Sequence, residues 1–277
     1  MGRLSRFVRD ELTFDVRDGG PGDGEAVVLL HGFPQDASCW DAVVPALHDV
    51  GLRTLAPDQR GYSPGARPAA VQAYRASEIV ADVLALLDAA QVRRAHVVGH
   101  DWGGTIAWAL AGQHPDRVHT LTVLSTPHPE AFARAVRSGS QALRSWYLVA
   151  LQLPRVPELL LPHLLGGFLA RSGMPAPEVE RVLARLHEPG ALAGAVAWYR
   201  ALRFARREHF PTVRVPTTFV WGRHDPALGR VGAELTRDAV SAPYRFVELD
   251  AGHWLPETRP VQVSSVVLDR IRTVAQT

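Results

Sequence analysis

Residues 95–104 read Ala-His-Val-Val-Gly-His-Asp-Trp-Gly-Gly, and this stretch decides the fold. The run Ala95–Val98 has the length of a buried strand, and a helical pattern, Thr105–Gln113, follows at once. A small–x–residue–x–small pattern at a strand-to-helix turn is typical of a nucleophile elbow, where glycines make room for a side chain held in strained backbone geometry. The stretch therefore predicts an α/β sheet with Asp101 at the carboxyl end of one strand.

Further short apolar runs recur along the chain and are bounded by Gly, Pro, Asp or His. Those of strand length are Ala26–Leu30, Arg53–Ala56, Thr120–Leu124, Thr217–Val220 and Tyr244–Leu249. Amphipathic patterns separate or follow them: Ala76–Ala90 has apolar residues at helical spacing, and Pro260–Ala275 begins with a proline. Strands that alternate with helices predict right-handed crossovers and a mostly parallel sheet flanked by helices.

One long stretch, from about Pro129 to Pro211, lacks this alternation. Its apolar residues follow helical spacing and are divided by proline and glycine. The predicted helical segments are Glu130–Arg137, Arg144–Leu153, Pro157–Leu165, Pro177–Leu186 and Leu192–Arg207. We therefore predict a core of residues 1–128 and 213–277 and an inserted helical cap of residues 129–212. Such a cap would lie over the carboxyl ends of the strands, where open α/β sheets bind ligands.

The composition excludes several classes of protein. The chain has 277 residues, 47% hydrophobic and 21% charged, and can bury a large core without disulfides. Its single cysteine, Cys39, cannot form an intramolecular disulfide. The 30 basic and 28 acidic residues give a net charge of +2 with no basic run, so we expect no nucleic-acid partner.

Signals for cofactors and membranes are also missing from the sequence. The histidines are scattered, and the chain has neither a dinucleotide fingerprint nor a phosphate-binding loop, so we expect no metal and no cofactor. The first residues carry alternating charges and lack the apolar region of a secretory signal. No stretch approaches the ~18 apolar residues of a membrane span. We expect a cytoplasmic protein.

The aspartate at the centre of the elbow determines the predicted chemistry. Attack by the Asp101 carboxylate on an acyl carbon would give an anhydride, whereas attack on a saturated carbon gives a stable alkyl ester that water can cleave. The alternative is a structural aspartate that caps the following helix. The glycine pattern and the preceding strand favour the nucleophile.

Two further residues complete a triad in the chain order nucleophile, acid, histidine. Asp225 and His253 each follow a predicted strand, which puts both at the same edge of the sheet as Asp101. A carboxylate beside a histidine fixes its tautomer and stabilises its protonated form. His224 is a competing histidine, but its neighbour Asp225 fits the acid position better, and His253 follows the last strand.

The backbone N–H groups of Phe33 and Trp102 are the predicted donors of an oxyanion hole. Phe33 belongs to His31-Gly32-Phe33-Pro34, directly after a predicted strand. A glycine followed by an X–Pro bond forms a tight turn that aims a backbone N–H into a site, and the proline of such a turn can be cis.

Five motifs lie at the ends of predicted strands. They are His31-Gly-Phe-Pro, Asp58-Gln-Arg-Gly-Tyr-Ser, Gly99-His-Asp-Trp-Gly-Gly, Gly222-Arg-His-Asp and Gly252-His-Trp. Together they resemble the α/β-hydrolase family over most of the chain, and the aspartate elbow is similar to that of epoxide hydrolases and haloalkane dehalogenases. The resemblance implies an eight-stranded, mostly parallel sheet with a helical cap inserted after the sixth strand. Many members of the family form homodimers, which the sequence leaves open.

The resemblance also implies two tyrosines that act from the cap. Epoxide hydrolases use such a pair to hydrogen-bond the epoxide oxygen and protonate it as the ring opens. Trp198-Tyr199-Arg200 is similar to the family motif for one of them, and Ser145-Trp146-Tyr147 resembles the other. The alternative is two half-buried tyrosines whose hydroxyls bond to neighbours. The predicted reaction converts a small apolar epoxide to a vicinal diol through an ester on Asp101.

Three other functions stay open at this point. A haloalkane dehalogenase would use the same Asp101 but needs side-chain N–H donors for the halide, for which Trp102, Trp146 and Trp198 are the candidates. A non-catalytic ligand-binding homologue would have a broken triad, whereas all three residues are present. An esterase would have serine in the elbow.

Overall fold

Eight strands form one sheet in the computed structural model, which describes residues 3–139 and 141–275. The strands are β1 (Arg6–Arg9), β2 (Leu12–Gly19), β3 (Ala26–Leu30), β4 (Arg53–Pro57), β5 (Ala95–His100), β6 (Val118–Leu124), β7 (Thr217–Gly222) and β8 (Tyr244–Leu249). Their order across the sheet is β1-β2-β4-β3-β5-β6-β7-β8. The pairs β1–β2 and β2–β4 are antiparallel and the other pairs are parallel, so the predicted α/β-hydrolase sheet is confirmed.

The α-helices of the described residues are α1 (Val44–His48), α2 (Ala76–Ala89), α3 (Trp102–Gln113), α4 (Pro129–Ser138), α5 (Gln141–Arg144), α6 (Trp146–Ala150), α7 (Val156–Arg171), α8 (Ala176–Leu186), α9 (Ala191–Ala201), α10 (Arg230–Leu235), α11 (Leu255–Thr258) and α12 (Pro260–Ala275). None of them combines the length and apolar character needed to cross a bilayer.

The central strands are buried on both faces, which explains why they read as continuous apolar runs. On β3, Val28 and Leu30 pack into a hydrophobic cluster with residues of α2 and α3. Val27 and Leu29 point to the opposite face and pack with residues of α1 and α12. All four side chains are fully buried, and each contributes roughly 1.5–3 kcal/mol by leaving water. Helices therefore cover the sheet on both sides and leave its carboxyl edge for the site.

The sequence analysis missed the antiparallel hairpin of β1 and β2. Its residues alternate between buried and exposed positions, so charged side chains interrupt the apolar pattern. Phe7 and Phe14 face inward and stack with their ring centroids 4.7 Å apart. An edge hairpin with one solvated face lacks the continuous apolar run by which the other strands were recognised.

Helices α4 to α9 occupy the chain between β6 and β7, and this segment contains no strand among its described residues. The predicted segment Arg144–Leu153 is divided into α5 and α6 at Ser145, whose Oγ accepts from the Gln141 side chain. The predicted helix that begins at Pro157 continues to Arg171 in spite of Pro162. The remaining predicted segments match α4, α8 and α9 within a few residues, except that Leu202–Arg207 forms a 3-10 turn.

Helix α9 rests directly on the loop that follows β4. The Cα of Gly61, at φ +90°, faces Gly194 so closely that an added Cβ would lie 2.8 Å from the Gly194 carbonyl oxygen. Trp198 Nε1 donates to the Arg60 carbonyl over 2.8 Å. Arg60 itself is buried against Asp82 with N–O distances of 2.6 and 2.7 Å, so it anchors this loop. The loop in turn fixes α9 over the carboxyl edge of the sheet.

Candidate active site

Three of the predicted site residues meet at the carboxyl edge of the sheet. Asp101 follows β5, Asp225 follows β7, and His253 follows β8. His253 Nδ1 lies 2.7 Å from Asp225 Oδ2, and His253 Nε2 lies 3.6 Å from Asp101 Oδ2. The other oxygen of Asp225 accepts from the N–H groups of Ala227 and Leu228. Asp225 is thus held by the backbone and in turn orients His253 towards Asp101.

The backbone of the elbow is strained at the residue that carries the carboxylate. Asp101 has φ 52° and ψ −122°, a backbone conformation that residues other than glycine rarely adopt. Neighbouring glycines make this turn feasible, because a Cβ on Gly103 would collide with the carbonyl oxygens of Leu30 and His31. The Asp101 side chain makes no N-capping hydrogen bond to α3. The alternative of a structural capping residue therefore finds no support.

Both predicted backbone donors contact the Asp101 carboxylate. Phe33 N–H donates to Asp101 Oδ1 over 2.8 Å, and the N–H of Trp102 also donates to this carboxylate. The Phe33–Pro34 peptide bond is cis. Gly32 gives the turn its close approach, because a Cβ there would lie 2.5 Å from Asp101 Oδ1. These donors lie where negative charge on a carboxyl oxygen needs to be stabilised.

The charges of the triad stabilise one another. Burial lowers the pKa of His253, but the carboxylates of Asp225 and Asp101 more than offset this effect and raise the pKa to about 10. Burial raises the pKa of Asp101, but His253 and the N–H of Trp102 lower it below its usual value overall. At neutral pH the site thus holds a protonated imidazole between two carboxylates.

The two predicted tyrosines reach the same place from the helical segment. Tyr147 on α6 and Tyr199 on α9 line a cavity together with Asp101, and their ring centroids are 6.2 Å apart. Tyr199 packs edge-on against Phe33 and Trp102, at 5.0 and 5.2 Å between ring centroids. Burial raises the pKa of both phenols above the usual value, so both hydroxyls keep their protons.

The cavity has a volume of about 490 Å³ and is mostly apolar. Apolar side chains of its wall include Phe132, Val136, Leu148, Leu202 and Phe210. Charged residues also line the cavity, namely Arg75, Arg137 and Glu208. The Glu208 carboxylate accepts hydrogen bonds from the N–H and the hydroxyl of Ser77. The site can therefore receive an apolar molecule whose reacting end lies between Asp101 and the tyrosines.

A halide site would need free indole N–H groups that point into the cavity. The candidate tryptophans instead contact other residues or lie at the surface. Trp198 Nε1 donates to the Arg60 carbonyl, and the Trp102 ring packs edge-on against Tyr199 with 5.2 Å between the ring centroids. Trp146 is 67% exposed at the surface of α6. This arrangement does not favour the dehalogenase alternative.

Sequence reasoning missed several polar residues behind the triad. His100 and Ser125 both contact the main-chain oxygen of His253, and Gln35 links His100 to Glu257. His100 directly precedes Asp101 in the elbow motif, and Gln35 directly follows Pro34 of the His31-Gly-Phe-Pro motif. The competing histidine, His224, is exposed and pairs with Asp250 at the surface.

Among residues 3–139 and 141–275, no group of three or more His, Cys, Asp or Glu side chains is arranged to hold a metal ion.

Comparison with known proteins identifies the family of the chain. A family model described as alpha/beta hydrolase fold matches residues 25–260. The chain is 34% identical to Epoxide hydrolase A of Mycobacterium tuberculosis over 92% of each chain, and 33% identical to the AB hydrolase superfamily protein YfhM of Bacillus subtilis over 94% of this chain and 95% of that protein. The crystal structure of Epoxide Hydrolase A from Mycobacterium thermoresistibile superposes with a TM-score of 0.82 at 28% identity over 98% of both chains.

Another solved structure, of a novel epoxide hydrolase from metagenomes of hot environments, gives a TM-score of 0.85 at 28% identity and covers 98% of this chain and 99% of its own. Sequence and fold thus give the same result. The chain belongs to the α/β-hydrolase family and, within it, to the epoxide hydrolases.

Proposed function

We propose that this protein is an epoxide hydrolase that opens an apolar epoxide to a vicinal diol through a covalent ester on Asp101. One observation carries the proposal: the Asp101 carboxylate and the tyrosines Tyr147 and Tyr199 line a single apolar cavity. A nucleophile and two protonated phenols are the groups needed to open an epoxide ring from both sides. The names of the relatives support the same reaction.

In the first step, an oxygen of Asp101 attacks one ring carbon and the carbon–oxygen bond of the epoxide breaks. The departing oxygen accepts hydrogen bonds from Tyr147 and Tyr199 and takes the proton of one of these phenols as the epoxide ring opens, which leaves that tyrosine as a phenolate. The product is a hydroxyalkyl ester of Asp101. The cavity wall supplies an apolar surface for the remainder of the substrate.

In the second step, His253 acts as the base. Formation of the ester removes the negative charge of Asp101, one of the two carboxylates that raise the pKa of His253. The pKa of His253 then falls, and the imidazole releases its proton, which restores the tyrosine phenolate to the phenol. The neutral imidazole can then accept a proton from water. The water attacks the ester carbonyl carbon, and the N–H groups of Phe33 and Trp102 stabilise the oxyanion. Collapse releases the diol and restores the carboxylate.

We also propose that the chain divides into a catalytic core, residues 1–128 and 213–277, and a helical cap, residues 129–212. The helices α4 to α9 between β6 and β7 support this division, and so does the contribution of Tyr147 and Tyr199 from that segment. A cytoplasmic location and a homodimer stay predictions from sequence and family resemblance.

The reaction itself is tested with a small apolar epoxide such as styrene oxide. We expect diol formation by the purified protein and no halide release from a bromoalkane under the same conditions. Halide release without epoxide turnover would instead favour the dehalogenase alternative. Binding of the epoxide without either reaction would favour a non-catalytic homologue.

Removal of the tyrosine hydroxyls should slow ring opening more than hydrolysis of the ester. Tyr147→Phe and Tyr199→Phe each leave one donor, so we expect about a tenfold loss in the alkylation rate for each and ~10²-fold or more for the double variant. Rapid-quench measurement of ester formation gives this rate.

Tyr244→Phe is the matched control, because Tyr244 is a half-buried tyrosine at the start of β8 whose hydroxyl is buried without a hydrogen-bond partner among the described residues. It should keep the wild-type rate. A double Tyr147/Tyr199 variant that alkylates as fast as wild type would remove the tyrosines from the mechanism.

A further inference from the structure

A chain of buried polar side chains runs behind His253. His100 Nε2 lies 2.9 Å from the main-chain oxygen of His253, and Ser125 Oγ donates to the same oxygen over 2.8 Å. His100 Nδ1 lies 2.9 Å from Gln35 Oε1, and the amide nitrogen of Gln35 contacts Glu257 Oε1. The chain therefore connects Glu257, on α11, with the backbone of the triad histidine.

If Glu257 is ionised, the hydrogen-bond donors and acceptors in this row of polar side chains cannot all be paired. In that state the amide NH₂ of Gln35 donates to Glu257, and its oxygen faces His100. His100 then faces an oxygen with each ring nitrogen and needs two N–H groups, which only an imidazolium has. Burial lowers the pKa of His100 to about 4, so the ring is neutral at neutral pH. A neutral His100 has only one N–H group, so its other ring nitrogen, which is an acceptor, would then face an oxygen, which is also an acceptor.

A half-turn of the Gln35 amide removes this conflict. The two ends of an amide have the same shape, so the hydrogen bonds of its neighbours decide its orientation. In the reversed orientation the NH₂ of Gln35 donates to His100 Nδ1, and His100 Nε2–H donates to the His253 oxygen. The Gln35 oxygen then faces Glu257 and needs a donor there, which only the carboxylic acid form of Glu257 supplies.

The surroundings of Glu257 also favour the acid form. Its Oε2 is buried and has no hydrogen-bond partner among the described residues, which is costly for an ionised oxygen and less so for the carbonyl oxygen of an acid. The titratable groups that face it are Glu178 from α8, His253 and the buried thiol of Cys39. Burial raises the pKa of Glu257 to about 7; the charge of Glu178 adds to this rise, and His253 opposes it.

We propose that Glu257 is a positioning residue: as a carboxylic acid it donates to Gln35 and, through Gln35 and His100, fixes the main-chain carbonyl of His253. Its neutral form adds no charge that would retain the proton on His253 once Asp101 has become an ester. The kinetic role rests on the proposed function, whereas the protonation state does not.

Ionisation of Glu257 at alkaline pH should weaken this arrangement. The amide of Gln35 then turns back to donate to the carboxylate, and its oxygen faces His100. A neutral His100 can donate to Gln35 or to His253, but not to both. If His100 donates to Gln35, the His253 carbonyl loses one of its two donors and keeps only Ser125. Turnover should therefore decrease as the pH rises through about 7.

Infrared difference spectra of wild type and Glu257→Gln test the protonation state without a substrate. At pH 6 we expect the C=O band of a buried carboxylic acid in the wild type, absent from the variant and lost as the pH rises through about 7. Nitrogen-15 NMR should show His100 as a neutral ring protonated at Nε2. A wild-type protein without this band at pH 6, or an imidazolium at His100, would overturn the proposal.

Two variants of similar size test the positioning role. Glu257→Gln keeps an N–H donor, whereas Glu257→Met has none. For diol formation at pH 6, we expect kcat to fall about five- to tenfold in Glu257→Met and to be restored to within about twofold in Glu257→Gln, with KM unchanged in both, as for one lost hydrogen bond. The decrease of kcat above pH 7 should be present in wild type and absent in Glu257→Gln.

An equal loss of kcat in both variants, with native circular dichroism spectra, would contradict the positioning role. Failure of the proposed function gives a different result, because the wild type would then form no diol at all. In that case the infrared and NMR spectra still decide whether Glu257 is the acid that the hydrogen bonds require.

Discussion

Asp101→Asn should lower the rate of epoxide turnover ~10⁴-fold or more, because an amide oxygen is too weak a nucleophile to open the epoxide ring. The loss should be in kcat, since the apolar cavity that binds the substrate is unchanged. Asp101→Ala is the second variant, because an asparagine can be hydrolysed back to aspartate in a reactive site. Diol formation measured by chromatography over long incubations checks both.

The controls for this prediction separate chemistry from folding. Asp101→Asn keeps a side-chain oxygen that can accept from Phe33 N–H and should retain the melting temperature of the wild type, whereas Asp101→Ala loses this acceptor, so its native circular dichroism spectrum is checked separately. Asp250→Asn changes an exposed carboxylate that pairs with His224 at the surface and should keep wild-type turnover. An Asp101→Ala protein that folds and forms diol at the wild-type rate would exclude the nucleophile assigned here.

His253→Gln should stop the reaction after its first step. Without the base, hydrolysis of the ester slows by ~10²- to 10⁴-fold, whereas attack by Asp101 does not require a proton acceptor. The protein should therefore accumulate with a mass increased by that of one epoxide. Peptide mass spectrometry after rapid acid quench should locate the adduct on the peptide that contains Asp101.

His224→Gln is the matched control for this experiment, because His224 precedes Asp225 in the chain but its side chain is exposed. It should turn over normally and accumulate no adduct. Normal turnover by His253→Gln would remove His253 from its role as base. Loss of all activity without any adduct would instead mean that His253 is needed before the ester forms.

Much of the fold was predictable because its central strands are buried on both faces. The bounds of β3 and β8 agree with the sequence prediction, and those of β4 to β7 differ by at most two residues at either end. The hairpin of the edge strand β1 and its neighbour β2 was missed because its half-solvated strands mix charged and apolar residues. Burial on one face leaves a weaker pattern than burial on two.

The positions of the predicted site residues follow from chain topology. Parallel strands bring their carboxyl ends to one edge, so residues after β5, β7 and β8 meet although they are far apart in the chain. Tyr147 and Tyr199 came from family resemblance alone, because helical spacing does not show which face of α6 or α9 points inward. Only the structure shows that both tyrosines line the same cavity as Asp101.

The polar chain from Glu257 to His253 could not be predicted from the sequence. It links Gln35, which follows β3, with His100 at the end of β5 and with His253 and Glu257 after β8, and it depends on which end of the Gln35 amide faces each neighbour. Single buried histidines and glutamines give no pattern along a sequence. Their role becomes visible only when the donors and acceptors around them are matched.

The central claim is that water attacks an ester of Asp101 and not the epoxide itself. A single turnover of styrene oxide by excess protein in oxygen-18 water, followed by mass spectrometry of the diol and of the Asp101 peptide, tests it most directly. We predict that the peptide gains the label and that the diol carries the unlabelled oxygen of Asp101. A labelled diol with an unlabelled Asp101 peptide would show direct attack by water and contradict the mechanism.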